Sequence, residues 1–340
     1  MGAFPSKIWQ KPSTRIIISL SLLGFLLVKL PLSDLWQAIR QVSPGLWIFS
    51  ILVFMMGHVL GVVKWSLLIN MGKNKLPFLV AARCYFAGLF ANLCLPSIAG
   101  GDIVRAAMAM GFPNGKAESR GGRPPARTEA VLLGSVLDRF LDIASLAFLM
   151  FLGIWSAPGA VTTEDRRVLS WALFFLFGFA LCTLLFLLLP LPKSIPVRLG
   201  LWITRCRQII RHLLKNPERA LVGFGIATCV QGAFVLLAAT LGAACGIHLA
   251  RSIWFLIWPL SKLVASLPIS MGGLGVREIA LVTLLGRFGI PASSSVGLGL
   301  LWQTILVAGG GMGGLLYLLL KRNTSRSDVR AAWRISHKKI

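Results

Sequence analysis

The chain has few charged residues for its length. Only 14% of its 340 residues are Asp, Glu, Lys or Arg, whereas 56% are hydrophobic. A soluble domain is closer to a quarter charged, because its surface must be wetted. Several stretches instead reach the ~20 apolar residues that cross the core of a bilayer. The sequence therefore predicts a polytopic membrane protein and excludes most classes of soluble enzyme.

Acidic residues are scarcer still. The chain has 35 Lys and Arg residues but only 11 Asp and Glu, which gives a formal net charge of +24. Most of the basic residues fall in five clusters between apolar runs, in residues 7–15, 64–75, 116–127, 193–219 and 321–339. Basic loops between membrane spans are typical of the cytoplasmic face. We therefore expect both termini in the cytoplasm and no binding to nucleic acid.

Residues that commonly hold metals or cofactors are also few. The chain has four histidines and six cysteines, and the cysteines show no CxxC spacing. Gly273-Leu274-Gly275 lacks the third glycine of a dinucleotide fingerprint, and neither a P-loop nor a GxSxG motif is present. The sequence predicts no metal, no cofactor and no catalytic residue, so we expect a protein that is not an enzyme.

Eight apolar runs and two shorter helical pieces make up most of the chain. The runs are at 14–30, 46–63, 77–96, 130–154, 168–190, 220–246, 252–268 and 296–320, and the shorter pieces are at about 102–112 and 276–288. If every run crossed the membrane, basic loops would fall on both faces. The conflict disappears if 77–112 is a re-entrant hairpin from the cytoplasm and 252–288 is a second hairpin from outside. We therefore predict an all-α fold with about six spanning helices plus two re-entrant hairpins.

The two predicted hairpin tips have related sequences. Residues 95–105, LPSIAGGDIVR, align without gaps on residues 267–277, LPISMGGLGVR, and six of the eleven positions are identical. Each tip carries a proline, Pro96 or Pro268, and a glycine pair, which break a helix and allow close backbone approach. Such a match between halves of opposite orientation is typical of an inverted-topology repeat. The alternative is that all eight runs span the membrane and the match is chance.

The sequence predicts one membrane domain, residues 1–320, and a basic cytoplasmic tail at 321–340. Its pseudo-repeats are about 14–154 and 168–320. Residues 113–128 are rich in Gly, Pro and basic residues and predict a cytoplasmic loop. Residues 197–215 alternate apolar and basic residues at helical spacing, which indicates an amphipathic helix on the membrane surface.

Ionisable residues inside apolar runs are the candidate site, because each costs several kcal/mol unless it is paired or hydrated. They lie at the start of each return helix, within the run 130–154, where Asp142 follows Asp138 and Arg139, and on the entering arm of the second hairpin, at Lys262. Those at the return helices and the Asp138-Arg139 pair, together with the tip glycines, form the predicted substrate-binding set: Arg105, Arg277, Asp102, Glu278, Asp138, Arg139, Gly100, Gly101, Gly272 and Gly273. An arginine beside the free N–H groups of a helix start suits a phosphate. The alternative is that these charges only neutralise one another and hold hairpins to spans.

The sequence around both tips resembles that of the flippase-like family, also called the lysylphosphatidylglycerol synthase transmembrane region. Residues 85–92, YFAGLFAN, leading into 95–105 are similar to its first signature, and residues 267–278 are similar to its second. The Asp138-Arg139 pair is similar to an acidic-arginine position between them. The resemblance covers about 14–320. It implies a bacterial cytoplasmic-membrane protein that moves a lipid or lipid-linked headgroup, without the soluble aminoacyl-transferase domain of some relatives.

Three functions remain open at this point. The first is a lipid translocator in which Arg105 and Arg277 bind a phosphate-bearing headgroup, while Asp102, Glu278 and Asp138 pair these arginines in the empty site. Its partner would be an anionic phospholipid or a polyprenyl or hopanoid-type lipid. The second is a membrane-embedded transferase acting on a polyprenyl carrier. The third is a non-transporting partner of lipid-synthesis enzymes.

Overall fold

The protein is all-α in the parts that the structure describes. The computed structural model describes residues 40, 42–71, 76–95, 98–111, 126–156, 217–266 and 273–337. Within these residues there are eight helices, which we number in chain order: α1 (Pro44–Ile69), α2 (Phe78–Cys94), α3 (Ile98–Met110), α4 (Ala126–Ser156), α5 (Pro217–Ala244), α6 (Arg251–Ala265), α7 (Val276–Gly286) and α8 (Ala292–His337). The predicted runs 14–30 and 168–190 and the predicted surface helix 197–215 lie outside the described residues.

Three of these helices are long and apolar enough to cross a bilayer: Pro44–Ile69, Pro217–Ala244 and the segment Ala292–Lys321 of α8. Local sequence explains where α1 begins, since the Ser43 hydroxyl accepts a hydrogen bond from the N–H of Leu46 and Pro44 occupies the first helical turn. Helix α4 has 31 residues, about 46 Å, but it carries charged residues at its centre. The prediction of a polytopic all-α membrane protein is confirmed.

Helices α2 and α3 form a hairpin that begins and ends at the same end of the bundle. Val80 near the start of α2 and Ala109 near the end of α3 belong to one buried cluster with Ile69, at the end of α1. Between these points the two arms approach each other closely, and the backbone of Gly88 lies against that of Gly101. We call this end of the bundle the Asn70 end, after the residue that follows α1.

Helices α6 and α7 form the second hairpin, which begins and ends at the opposite, Ser43 end. Trp254 near the start of α6 lies against Gly242 near the end of α5, whereas Lys262 reaches Gln231 half-way along α5. The next helix, α7, then runs back beside α8, since Arg277 bonds to Gln303 and Gly286 is followed closely by Ala292. The two hairpins therefore enter the bundle from opposite ends, as the inverted repeat predicts.

Both hairpins stop near the middle of the bundle. Leu93, at the end of α2, lies against Gly310 of α8, and the neighbouring Gly309 lies against Phe54. Phe54 is ten residues, about 15 Å, beyond the start of α1, which is half the thickness of a bilayer core. In the second hairpin the Lys262 ammonium contacts the Phe234 ring, which packs on Gly57 at a similar depth.

The helix ends preceded or followed by basic loops collect at the Asn70 end. Arg219 at the start of α5 donates a hydrogen bond to the carbonyl of Asn70, over 3.1 Å. The Arg83 guanidinium, near the start of α2, lies 5.7 Å from the Tyr317 ring of α8. Three of the predicted basic clusters, those near residues 73, 219 and 321, therefore adjoin the same end of the bundle.

Two predicted boundaries differ from the structure. The predicted loop 113–128 overlaps α4, which already begins at Ala126, in agreement with the helix propensity of the Ala-Arg-Thr-Glu-Ala sequence. Helix α8 continues into the predicted basic tail 321–340, as far as His337. After Gly314 this helix contains neither Gly nor Pro, so no residue of the tail interrupts it.

Candidate functional site

Six charged side chains form a closed ring of alternating sign in the interior of the bundle. In order round the ring they are Lys64, Asp138, Arg105, Asp102, Arg139 and Asp142. Arg105 Nη2 lies 2.6 Å from Asp138 Oδ2, and Lys64 Nζ lies 3.0 Å from Asp138 Oδ1. We call this arrangement the six-residue ion ring. With three cations and three carboxylates, it has no net charge.

Three helices supply the ion ring. Asp138 and Asp142 are four residues apart on α4 and so share a face, while Asp102 and Arg105 are three apart on α3. Lys64 comes from α1. Lys64, Arg105 and Asp138 are at most 5% exposed, whereas the Arg139 side chain is 45% exposed. Burying single ions is costly unless they are paired, so the ring holds the first hairpin to both spans.

Two aromatic rings lie against the Arg105 guanidinium. The guanidinium carbon lies 5.1 Å from the Trp65 ring and 5.2 Å from the Tyr85 ring. The Trp65 indole N–H in turn donates to the hydroxyl of Ser135 over 3.1 Å. The Nε atom of Arg105 is buried and has no hydrogen-bond partner among the described residues. Arg105 is therefore held by charge and by cation–π contact, with one donor left unused.

Lys64 is where the structure corrects the sequence analysis. It was counted in a basic cluster at the membrane surface, together with Lys73 and Lys75. The structure instead places it within α1, 5% exposed and bonded to two carboxylates of α4. A lysine inside an apolar helix is stable there only because those carboxylates lie opposite it. It therefore belongs to the ion ring.

A cavity of about 340 Å³ opens beside the ion ring. Helices α1 to α6 all contribute to its walls. Its lining contains the ring residues together with aromatic and apolar residues such as Phe234, Tyr85 and Ala227. His58 also lines the cavity, and its Nδ1 atom lies 3.3 Å from the Tyr85 hydroxyl. The cavity combines charged and apolar residues, as a site for an amphiphile requires.

The second hairpin contributes one cation, Lys262, to the cavity. Its ammonium donates a hydrogen bond to the Gln231 side-chain oxygen over 2.7 Å and lies 5.2 Å from the Phe234 ring. Among the described residues no carboxylate lies within ion-pair distance of it, in contrast to the three cations of the ion ring. Lys262 therefore gives the charged residues that line the cavity a formal net charge of +1.

Arg277 and Glu278 form a separate charged unit between α7 and α8. The Arg277 Nη2 atom donates to Glu278 Oε1 at 2.7 Å and to the Gly299 carbonyl and Gln303 Oε1 at 3.0 Å each. The other oxygen of Glu278 accepts the N–H of Gly275 over 2.6 Å. Neither residue is among those that line the 340 Å³ cavity. The structure therefore does not bring Arg277 and Arg105 together in the cavity.

The described tip glycines lie at close contacts between helix arms. A side chain on Gly100 would lie 2.7 Å from Leu95, and the N–H of Gly101 donates to the Asn92 side chain over 2.9 Å. Gly273 has φ of +80°, and a side chain there would lie 3.0 Å from Ala265. These glycines let two helix arms approach each other. Pro96, Pro268 and Gly272 lie outside the described residues.

Comparison with known protein families agrees with this architecture. The family described as "Lysylphosphatidylglycerol synthase TM region" matches residues 13–312, which include both hairpins and the whole ion ring. The chain belongs to this family. The resemblance seen in the two tip sequences is thereby confirmed, and no curated protein matches the chain. Membership of the lysylphosphatidylglycerol synthase TM region family indicates a function connected with membrane lipids.

Within this family member, the sequence analysis singled out six of the eleven polar residues that line the cavity, Asp142 and Lys262 among them. Asp102, Arg105, Asp138 and Arg139 come together as one group. The polar residues that sequence reasoning did not place in the site include Lys64, His58, Tyr85 and Gln231. For Lys64 a signal was present, since it is one lysine between Val63 and Trp65 in a helix of 26 residues. For the other three, only the packing of α1, α2 and α5 shows the connection.

Proposed function

We propose that this protein translocates an anionic phospholipid or a lipid-linked phosphate between the leaflets of its membrane. The observation that carries the proposal is the charged cavity at mid-depth, between two hairpins that enter from opposite ends. A polar cavity in this position gives a headgroup a hydrated path, while the acyl chains stay in lipid. The net positive charge of the charged residues that line it favours an anionic headgroup.

The ion ring stabilises the cavity when no substrate is bound. Its three carboxylates hold Lys64, Arg105 and Arg139 when no anion is bound. A phosphate that enters can exchange with a carboxylate at the more exposed Arg139, because phosphate and carboxylate oxygens both accept hydrogen bonds from a guanidinium. The three carboxylates then compensate the cations again once the headgroup leaves.

The inverted hairpins supply two equivalent routes to the cavity. The first hairpin enters from the Asn70 end and the second from the Ser43 end, and residues of both line the cavity. Small movements of one hairpin at a time would open the site to each leaflet in turn, as in transporters built from inverted repeats. By the positive-inside rule we propose that the Asn70 end, which Lys73 and Lys75 follow in the sequence, faces the cytoplasm, in the cytoplasmic membrane of a bacterium.

A fluorescent-lipid assay tests the proposal. The purified full chain is reconstituted into phosphatidylcholine vesicles with a trace of NBD-labelled phosphatidylglycerol, and dithionite then quenches the probe in the outer leaflet. We expect quenching of the inner-leaflet probe only in vesicles that contain the protein. Equal quenching in protein-free vesicles would contradict translocation, and a covalently modified probe would instead indicate a transferase.

Arg139→Gln is the informative variant for this assay. The Arg139 side chain is 45% exposed, so its replacement disturbs the fold less than that of Arg105 or Asp138. We expect slower translocation than in the wild type. Arg251→Gln is the matched control, because Arg251 is an exposed residue at the start of α6 and does not line the cavity. Equal rates for both variants would contradict a role for the ion ring.

A further inference from the structure

Lys262 differs from the other cations of the cavity in having only neutral partners. Lys64, Arg105 and Arg139 each contact two carboxylates. Lys262 contacts an amide oxygen and an aromatic ring, which stabilise an ammonium without cancelling its charge. Among the described residues, Lys262 is thus the one cavity-lining lysine or arginine that no carboxylate compensates.

An uncompensated ammonium at this depth is stabilised by water or by an anion from outside the protein. The cost of a single charge falls when water or a counter-ion reaches it, and the cavity provides that access. Gln231 occupies one of the three donors of the ammonium, so two remain for a ligand. Two free donors on one cation match the two non-bridging oxygens of a phosphodiester.

We infer that Lys262, held by Gln231 and Phe234, is an anion subsite that binds the phosphodiester of a lipid whose small headgroup has a net charge of −1. This inference rests on the proposed translocation, for which it names the binding residue and the substrate class. The subsite lies on the arm of the second hairpin, separate from the ion ring on the first hairpin and its neighbours.

The size and charge of the cavity define the lipid. About 340 Å³ is near the lower limit of ligand cavities, which are about 300–1,000 Å³. That volume suits a phosphate with a small polyol rather than a lipid-linked oligosaccharide. Because the ion ring is neutral, the single charge of Lys262 is balanced by a monoanion such as phosphatidylglycerol. A zwitterionic headgroup such as phosphocholine would bring its own cation towards Lys262.

Lipid retention measures the subsite directly. The purified full chain is equilibrated with an equimolar mixture of phosphatidylglycerol and phosphatidylcholine, and the retained lipids are counted by native mass spectrometry. We expect wild type to be enriched in phosphatidylglycerol and Lys262→Gln to lose about tenfold or more of that preference. Lys262→Arg keeps the charge and retains a preference, as does the control Arg251→Gln on the same helix.

Thermal unfolding of each variant in the same detergent controls for misfolding. A Lys262→Gln protein that unfolds near the wild-type temperature and keeps its phosphatidylglycerol preference would overturn the inference. Lys262-dependent stabilisation by inorganic phosphate, without lipid enrichment, would assign the subsite to a soluble anion and also overturn it.

Different outcomes reject translocation and the Lys262 subsite. Phosphatidylglycerol retention that depends on Lys262, without movement of the NBD-labelled lipid in vesicles, would sustain the subsite and reject translocation. Equal translocation by wild type and by Lys262→Gln would sustain translocation and reject the subsite.

Discussion

Arg105 on α3 donates a 2.6 Å hydrogen bond to the carboxylate of Asp138 on α4, and both side chains are at most 3% exposed. This pair joins the return arm of the first hairpin to a long helix, within the ion ring. Because Asp138 also contacts Lys64, the same carboxylate connects three helices. These contacts therefore hold the return arm of the first hairpin against α1 and α4.

We predict that breaking this pair from one side strongly destabilises the protein. Arg105→Gln leaves the Asp102 and Asp138 carboxylates with one cation fewer, and Asp138→Asn leaves Arg105 and Lys64 with one anion fewer. Removal of one partner of a buried ion pair costs about 3–5 kcal/mol. The free energy of unfolding, measured by denaturation in mixed micelles, should fall by that amount in each single variant.

The double variant Arg105→Gln/Asp138→Asn is the test of coupling. It removes one cation and one anion, so the remaining four charges of the ion ring are again balanced. We expect its free energy of unfolding to exceed that predicted from the sum of the single variants by about 1–3 kcal/mol. Additive losses would show that the two residues act independently.

Helix contacts at glycine give a second prediction. A methyl group on Gly134 of α4 would lie 2.8 Å from the backbone nitrogen of Ile69, which cannot move aside. Gly134→Ala should therefore separate α4 from α1 and cost about 1–3 kcal/mol. Gly225→Ala on α5 is the matched control, since nothing lies within 4 Å of the added methyl group. We expect the control to be neutral or slightly stabilising, because alanine favours helix. Equal losses in both variants would contradict the packing.

The hairpins could be predicted because their evidence lies in the sequence itself: the positions of the basic loops and the similarity of the two tip sequences. The ion ring could not be predicted in full. Asp138 and Asp142 show their shared face by spacing alone, but the position of Lys64 opposite them depends on how α1 packs against α4. Sequence spacing places residues on a helix face, and only packing decides what that face meets.

The internal repeat does not predict which residues surround Arg277. It occupies the position of Arg105 in the aligned tips, and the sequence suggested one shared headgroup site for both. In the structure each arginine bonds to residues of its own surroundings: Arg105 to α4 and Arg277 to Glu278 and α8. Equivalent positions of an inverted repeat are related by symmetry, which does not require that they face one cavity.

Labelling from each side of the membrane tests the opposite entry of the hairpins. Gly111 follows the first hairpin, Pro291 follows the second, and both are exposed. Single cysteines at these positions, in a chain without the native cysteines, should react with an impermeant maleimide from opposite faces. Because the Asn70 end is proposed as cytoplasmic, Gly111→Cys should label only in inside-out vesicles. Reaction of both cysteines from one face would contradict the inverted arrangement of the hairpins.

Arg277→Lys should destabilise the protein although it keeps the charge. Arg277 donates through Nη2 to oxygens of Glu278, Gly299 and Gln303, and its Nε also donates to Glu278 Oε1 over 3.2 Å. A lysine ammonium has a single nitrogen, so it cannot reproduce the fork that Nε and Nη2 make to Glu278. We expect the free energy of unfolding to fall by about 1–3 kcal/mol, with Arg251→Lys unchanged as the exposed control. Equal stability of the wild type and Arg277→Lys would show that the charge alone, without the fork of hydrogen bonds, holds α7 against α8.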